Sequence, residues 1–165
     1  MSPFVLPISS GFSKPPFYGT IQAMKDISKK FKFLSQEIVR FQALGVEAVV
    51  LFGSQAVGIA RPNSDFDFGV LLKNPGVLRD YKKYSRVYGE LYDILHPHIG
   101  QETDMDIVFL QKASAELLSN AARHGIVLYQ DNLKTFADFK ARVMEQYADF
   151  EPVRNMFHSA ILSRV

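Results

Sequence analysis

The sequence predicts an α/β (α+β) domain, in which a small mixed sheet is flanked by helices and further helices follow at the C-terminal end. Two apolar runs of strand length, Val46–Phe52 and Phe66–Leu72, form the centre of this prediction. Segments around them carry apolar residues at intervals of three or four, which is typical of helices that bury one face. The 165 residues are 47% hydrophobic and 22% charged, so the chain is suited to one domain with a substantial core.

The first half of the chain divides into an arm and the beginning of a domain. Residues 1–20 hold four of the eight prolines and no periodic pattern, which predicts an irregular N-terminal arm ahead of a single domain over residues 21–165. A helix is predicted over Lys25–Leu44, because apolar residues recur there at helical spacing and Gly45 provides a stop signal. The elements that follow are strand Val46–Phe52, a Gly53-Ser54 turn with a short helix, and strand Phe66–Leu72.

The second half alternates between helical and strand patterns. Helix Val77–Leu95 carries tyrosines at helical spacing, and because of this spacing we interpret them as a packing stripe rather than a base-stacking platform. His96-Pro97-His98 predicts a loop leaving this helix, and a metal site there is not favoured because a matching ligand set is missing nearby. The remaining elements are strand Met105–Leu110, helix Ala113–His124, strand Ile126–Tyr129, helix Leu133–Phe150 with an apolar stripe that covers the sheet, and, beyond the break expected at Pro152, helix Val153–Leu162.

Composition narrows the functional classes. Cysteine is absent, so neither disulfides nor a thiolate metal site is available, and a reducing, cytoplasmic compartment is expected. The formal net charge is only +2, and the lysines at 25, 29, 30 and 32 are expected on a solvated helix face, so strong nucleic-acid binding is not predicted. The N-terminal residues form a poor signal peptide, and no apolar run approaches the length of a membrane span.

Two carboxylates begin the second strand, ten residues after a Gly-Ser turn. Asp65 and Asp67 are two positions apart, so on a strand they project to one face, roughly 6.5–7 Å apart along the backbone, while Phe66 and Phe68 point into the core. Paired carboxylates repel each other unless a cation lies between them. Exposed amides at a turn attract phosphate, and the arrangement therefore indicates a site for a divalent metal and a nucleoside triphosphate. Asp104 and Asp106 share one face of a later strand, and each is a candidate for a third carboxylate.

The segment from Gly53-Ser54 through Asp65-Phe66-Asp67 to Val70 resembles the signature of the DNA polymerase beta nucleotidyltransferase superfamily, in its minimal nucleotidyltransferase branch. The resemblance extends from Val46 to Tyr129 and includes the ending Gly-Ile-Val-Leu-Tyr over 125–129. It implies the nucleotidyltransferase fold. It also favours Asp106 as the third carboxylate, because the family places Asp before an apolar pair, which leaves Asp104 in a supporting or solvated position.

The resemblance implies a function as well as a fold. Asp65, Asp67 and Asp106 would hold two Mg²⁺ or Mn²⁺ ions and act in catalysis, while Gly53 and Ser54 would bind the triphosphate of ATP. Small members of the branch often act as antitoxins beside a HEPN-domain RNase toxin. The expected activity is therefore the transfer of AMP from ATP to a tyrosine of that partner.

One departure from the family pattern keeps other functions open. The family often has Arg where this chain has Val57, so a phosphate or partner contact could be weaker. A silent binding antitoxin would account for this loss, although it leaves the complete carboxylate set unexplained. A small-molecule nucleotidyltransferase of the aminoglycoside type is the other alternative, although such enzymes usually carry a larger acceptor-binding helical portion.

Overall fold

A four-stranded mixed sheet forms the centre of the molecule. The structure is a computed structural model, and it describes residues 27, 29–61, 64–100 and 103–149. The predicted arm over 1–20, the break at Pro152 and the helix Val153–Leu162 lie outside the described residues. Along the chain the elements are α1 (Ser35–Ala43), β1 (Val46–Phe52), α2 (Gly53–Val57), β2 (Phe66–Leu72), α3 (Tyr81–Ile99), β3 (Met105–Phe109), α4 (Ala115–His124), β4 (Ile126–Gln130) and α5 (Thr135–Asp149).

The strand order is β3-β2-β1-β4, and it confirms the mixed sheet. β1 pairs antiparallel with both β2 and β4. β3 is joined to β2 by the long helix α3 and pairs parallel with it, as expected because a parallel neighbour requires a crossover connection. The predicted strands agree with these bounds to within one residue.

Helices cover the sheet on both faces. On one face, side chains of α1 and α3, such as Phe41 and Leu91, pack with Phe68 and Val70 of β2. On the other face, α4 and α5 cover β1 and β2, and the buried residues Phe139 and Val143 confirm the apolar stripe predicted for the last described helix. Among the described residues, no helix is long and apolar enough to cross a membrane.

The predicted helix Lys25–Leu44 is wrong as one continuous element. A helical segment that includes Ile27, Lys29 and Lys30 ends at Phe31, and α1 begins only at Ser35. The Glu37 carboxylate accepts a hydrogen bond from the Leu34 backbone N–H at 2.6 Å, which satisfies the free end of α1. Apolar residues at helical spacing continue across this break, so periodicity alone does not show it.

The predicted helix Val77–Leu95 is also divided. A 3-10 turn over Pro75–Arg79 precedes α3, and the Asp80 side chain caps α3 by accepting from the backbone N–H groups of Lys82 and Lys83. The packing stripe is confirmed for Tyr84, whose ring contacts Phe109, but it is wrong for Tyr81, which is 82% exposed.

The loop predicted at His96-Pro97-His98 is wrong, because all three residues belong to the last turns of α3. The His98 ring lies against Phe31 and Phe33. Its Nε2 is 3.0 Å from Oε1 of Glu37, and its Nδ1 is 3.3 Å from the Lys30 carbonyl oxygen. The end of α3 is therefore retained as a helix by tertiary contacts with the segment that precedes α1.

Candidate active site

The carboxylates predicted from the sequence converge at one edge of the sheet. Asp67 on β2 and Asp106 on β3 are direct register partners in the parallel pair. Asp65 immediately precedes β2 and is exposed, as is Asp106, while Asp67 is half-buried. Phe66 and Phe68 are buried on the opposite face, as predicted. We call Asp65, Asp67 and Asp106 the carboxylate edge.

Asp104 occupies a different position from Asp106. Its carbonyl oxygen accepts a hydrogen bond from the Phe66 N–H at 3.1 Å, so it lies one step before the paired part of β3. The negative charges that act on Asp67 come from Asp106 and Asp65. The geometry therefore favours Asp106 over Asp104 as the third member of the carboxylate edge.

Burial and repulsion act together on Asp67. Desolvation raises the pKa of the Asp67 carboxyl above its ordinary value, and the charges of Asp106 and Asp65 raise it further. Among the ion pairs of the described residues, none involves these three carboxylates. The carboxylate edge is therefore a concentration of negative charge that a bound cation would relieve.

The carboxylates do not form a closed cage. In the parts of the chain that the structure describes, no group of three or more His, Cys, Asp or Glu side chains is placed so that it could by itself hold a metal ion. This openness is compatible with Mg²⁺, which usually keeps water ligands and binds one or two carboxylates together with the phosphates of its substrate. The donors at the edge are all oxygens, as a hard cation requires.

Gly53 lies directly against the carboxylate edge. Its φ is +71°, a conformation that side-chain-bearing residues rarely adopt, and a Cβ atom placed there would be 2.0 Å from Oδ2 of Asp67. α2 begins at this residue, buries Ala56, and ends at Gly58 in the left-handed conformation. The absence of a side chain at Gly53 allows the turn at the end of β1 to approach the carboxylate of β2.

A hydrogen bond connects the Gly-Ser turn to the segment that carries Asp65. Gln55 Nε2 on α2 donates to the carbonyl oxygen of Ser64 at 2.8 Å. The Ser64 hydroxyl in turn accepts from the Arg61 backbone N–H at 2.9 Å. Sequence reasoning assigned no role to Gln55. Its position inside the motif, next to Gly53-Ser54, was the only available signal.

A cavity of about 370 Å³ opens beside Asp67 and Gly53. It lies between the Gly-Ser turn and the first turns of α4, and we call it the α4 pocket. Its lining residues are Phe52, Gly53, Asp67, Ser114, Glu116, Leu117 and Asn120. Sequence reasoning did not find the four that belong to α4 or cap it, because only the fold brings the start of α4 beside Gly53 and Asp67.

A second cavity of about 380 Å³ lies at the opposite end of the sheet. It is lined by residues from the start of β1, the end of β2 and α5, including Glu47, Lys73 and Arg142. It shares no residue with the carboxylate edge or the α4 pocket. The chemistry predicted from the sequence therefore belongs to the first cavity.

Comparison with known families agrees with this geometry. The family model described as "Polymerase beta, Nucleotidyltransferase" matches residues 23–134, more than half of the chain. The chain belongs to the polymerase beta nucleotidyltransferase family. The matched range includes β1 to β4, and with them the carboxylate edge, the Gly-Ser turn and the α4 pocket.

Individual relatives of this nucleotidyltransferase are known in sequence and in structure. The protein adenylyltransferase MntA of Aphanizomenon flos-aquae (strain 2012/KM1/D3) is 31% identical over 113 residues, which are 60% of this chain and 67% of the relative. A crystal structure of a toxin-antitoxin with AMP-PNP is similar with a TM-score of 0.59 at 21% identity, and the match covers 78% of this chain and 99% of the other.

A further structure, a tri-AMPylated HEPN toxin of Shewanella oneidensis in complex with its MNT antitoxin, gives a TM-score of 0.53 at 19% identity. That match covers 87% of this chain and 98% of the other. At these identities the structural matches establish the fold, and they confirm the nucleotidyltransferase architecture predicted from the sequence.

The departure at Val57 is located at the end of the Gly-Ser helix. Val57 is the last residue of α2 and is half-buried, just before the left-handed Gly58. A cationic side chain is therefore absent from the position where the family often has one. Arg61, four residues further on, is exposed.

Proposed function

We propose that this nucleotidyltransferase is a metal-dependent protein adenylyltransferase, which transfers AMP from ATP to a tyrosine of a cognate HEPN-domain RNase toxin and so acts as its antitoxin. The observation that carries the proposal is the direct pairing of Asp67 with Asp106, with Asp65 beside them and Gly53 in contact distance of Asp67. The names of the similar proteins, MntA and the HEPN–MNT complexes, support the choice of AMP and of the partner.

The carboxylate edge fits Mg²⁺ or Mn²⁺ through the chemistry of its donors and through the uncompensated charge around Asp67. Asp65, Asp67 and Asp106 would hold the metal together with phosphate oxygens of the nucleotide. When bound, the metal would neutralise charge on the triphosphate and favour ionisation of the attacking hydroxyl.

The protein residues divide the remaining work between them. The Gly53-Ser54 turn would receive the triphosphate through its backbone N–H groups and the Ser54 hydroxyl. Asp106, which is exposed on β3, would face the acceptor. The tyrosine oxygen forms a bond to the α-phosphorus, and the bond between the α-phosphorus and the oxygen that bridges it to the β-phosphorus breaks. Pyrophosphate leaves with that oxygen, and the proton of the tyrosine hydroxyl passes to solvent.

An antitoxin of this kind would act by adding negative charge to the toxin. An AMP group beside an RNase site repels the phosphate backbone of RNA and blocks access to the catalytic residues. The proposal therefore predicts that inhibition of the RNase persists after the two proteins are separated.

The test is to incubate the chain with the HEPN protein proposed as its partner, ATP and Mg²⁺, and then to measure intact mass and RNase activity. We expect a mass increase of one or more AMP groups on a tyrosine, together with loss of RNase activity. If no adduct forms, and if the inhibition persists in the Asp65→Asn and Asp67→Asn variants, the chain would instead be established as a binding antitoxin. An AMP adduct on an aminoglycoside, with none on the HEPN protein, would establish the small-molecule alternative.

The role of the turn can be tested separately. Ser54→Ala should weaken ATP binding by roughly fivefold to tenfold, because one hydrogen bond to a charged phosphate is lost. Isothermal titration calorimetry with a non-hydrolysable ATP analogue and Mg²⁺ would measure the affinity of the variant and of the wild type. Unchanged affinity and rate would restrict the turn to a structural role.

A further inference from the structure

The α4 pocket is contiguous with the carboxylate edge and is composed differently from it. Asp67 and Gly53 belong to its wall, so a group bound at Asp67 has direct access to the cavity. The opposite wall is one face of α4, where Glu116 and Asn120 are four residues apart and therefore lie on the same side of the helix. Both side chains are exposed, and no hydrogen bond or ion pair is found for either within the described residues.

The charges that line the α4 pocket decide which part of a nucleotide it accepts. Glu116 and Asp67 are acidic, and none of the described lining residues is basic. In the proposed function the metal covers Asp67, so a triphosphate placed against α4 would face the Glu116 carboxylate with no cationic side chain, whereas a nucleoside is uncharged. The phosphates are therefore expected at the end of the pocket formed by Gly53 and Asp67, and the nucleoside at the end formed by α4.

The acceptor is the other uncharged group that must reach the site. In-line displacement places the attacking and leaving oxygens on opposite sides of the phosphorus. Asp106, which faces the acceptor in the proposed function, does not line the α4 pocket. The acceptor therefore approaches from the β3 edge, and the pocket beside Asp67 and Gly53 remains for the nucleoside.

We propose that the α4 pocket binds the adenosine of ATP, with Asn120 as the residue that selects adenine and Glu116 as the acceptor of hydrogen bonds from the ribose hydroxyls. The inference rests on the proposed function. An Asn amide presents one donor and one acceptor side by side, which matches the N6 and N7 atoms of adenine and mismatches the oxygen of guanine. Carboxylates recognise ribose hydroxyls in other nucleotide-binding folds. Phe52 and Leu117 supply apolar surface for the base.

Base preference in the Asn120→Leu variant is the first measurement. Binding of ATP, GTP, CTP and UTP with Mg²⁺ is compared with the binding of inorganic tripolyphosphate. We expect Asn120→Leu to weaken ATP binding by about fivefold to a hundredfold and to reduce the preference for ATP over GTP, while tripolyphosphate binds as before. Gln146→Leu, which removes an exposed amide on α5, is the matched control and should change neither.

The ribose contact is tested with Glu116→Gln. This variant should bind ATP more weakly than the wild type does. The variant and the wild type should bind 2′,3′-dideoxy-ATP equally well, because this analogue has no ribose hydroxyls for Glu116 to contact. Glu145→Gln, an exposed carboxylate change on α5, is its control. Equal weakening for both nucleotides would contradict the role of Glu116.

The outcomes distinguish the inference from the proposed function. A wild-type protein that transfers AMP, with unchanged base preference in Asn120→Leu, overturns the inference alone. A change in the KM for the acceptor without a change in nucleotide affinity also overturns it and assigns the pocket to the acceptor. A wild-type protein that binds no nucleoside triphosphate overturns the proposed function.

Discussion

Replacing Gly53 by alanine separates two effects that usually occur together, backbone strain and displacement of Asp67, the carboxylate proposed to act in catalysis. Gly45 and Gly53 have nearly the same backbone conformation, with φ of +70° and +71°. A Cβ atom at Gly45 would meet nothing within 4 Å, whereas at Gly53 it would lie 2.0 Å from Oδ2 of Asp67. Gly45→Ala is therefore a matched control, because it carries the strain without the collision.

The two magnitudes follow from this geometry. An alanine in the left-handed region costs about 1–2 kcal/mol, so this strain alone should lower the melting temperature of either variant by about 2–8 °C for a chain of this size, and the collision adds to the loss in Gly53→Ala. Ordinary contact begins near 3.4 Å, so in Gly53→Ala the Asp67 carboxylate must move by more than about 1 Å. A displacement of this size in a catalytic group costs on the order of 100-fold in rate.

Differential scanning fluorimetry and the rate of pyrophosphate release would measure these effects. We expect Gly45→Ala to retain the wild-type rate and Gly53→Ala to lose about 100-fold. In the Asp67→Ala background the collision is absent, so Gly53→Ala should then cost no more stability than Gly45→Ala. Equal rates in the two single variants would refute the proposed role of the Gly53–Asp67 contact.

Three further changes test the electrostatics and packing. Asp67→Asn should abolish AMP transfer without lowering the melting temperature, because it removes a half-buried charge that its neighbours repel; a large loss of stability would contradict this account. The Lys73 ammonium, 2.9 Å from Asp131, lowers the pKa of that carboxyl. Its contribution to stability is present above the ordinary Asp pKa of about 4 and is lost as the pH falls through the lower folded value. Asp131→Asn should therefore lower the melting temperature at pH 7 but not at pH 2, and a constant difference across this range would count against the pair. His98→Ala should lower the free energy of unfolding by about 1–3 kcal/mol, since the hydrogen bond to Glu37 and two aromatic contacts are lost; urea denaturation would measure it, and an unchanged midpoint would contradict it.

Local patterns were sufficient for the strands and for singling out Asp65 and Asp67, whereas the preference for Asp106 over Asp104 came from the family resemblance. The run Phe66–Leu72 was predicted with the bounds that the structure has, because a buried strand with carboxylates at its start is visible in adjacent positions. Gly53 was also found from local sequence. That this position must be glycine because Asp67 lies so close to it can be seen only in the folded structure.

Features that depend on distant contacts could not be predicted in this way. The pairing of Asp67 with Asp106 depends on the register between two strands that are separated by α3. The helix break near Phe31 and the retention of His98 in a helix depend on contacts between segments more than sixty residues apart. The α4 pocket has the same origin, since only the folded chain brings Asn120 to the cavity that Asp67 lines.

The fate of the α-phosphate tests the central claim most directly. The chain, the proposed HEPN partner and Mg²⁺ would be incubated in parallel with ATP labelled at the α-phosphate and with ATP labelled at the γ-phosphate, and the label on the proposed partner would be counted. The carboxylate-edge account predicts that only the α-label is transferred, that EDTA prevents the transfer, and that Asp67→Asn and Asp106→Asn each abolish it. Transfer of the γ-label, or α-label transfer that persists in both variants, would contradict it.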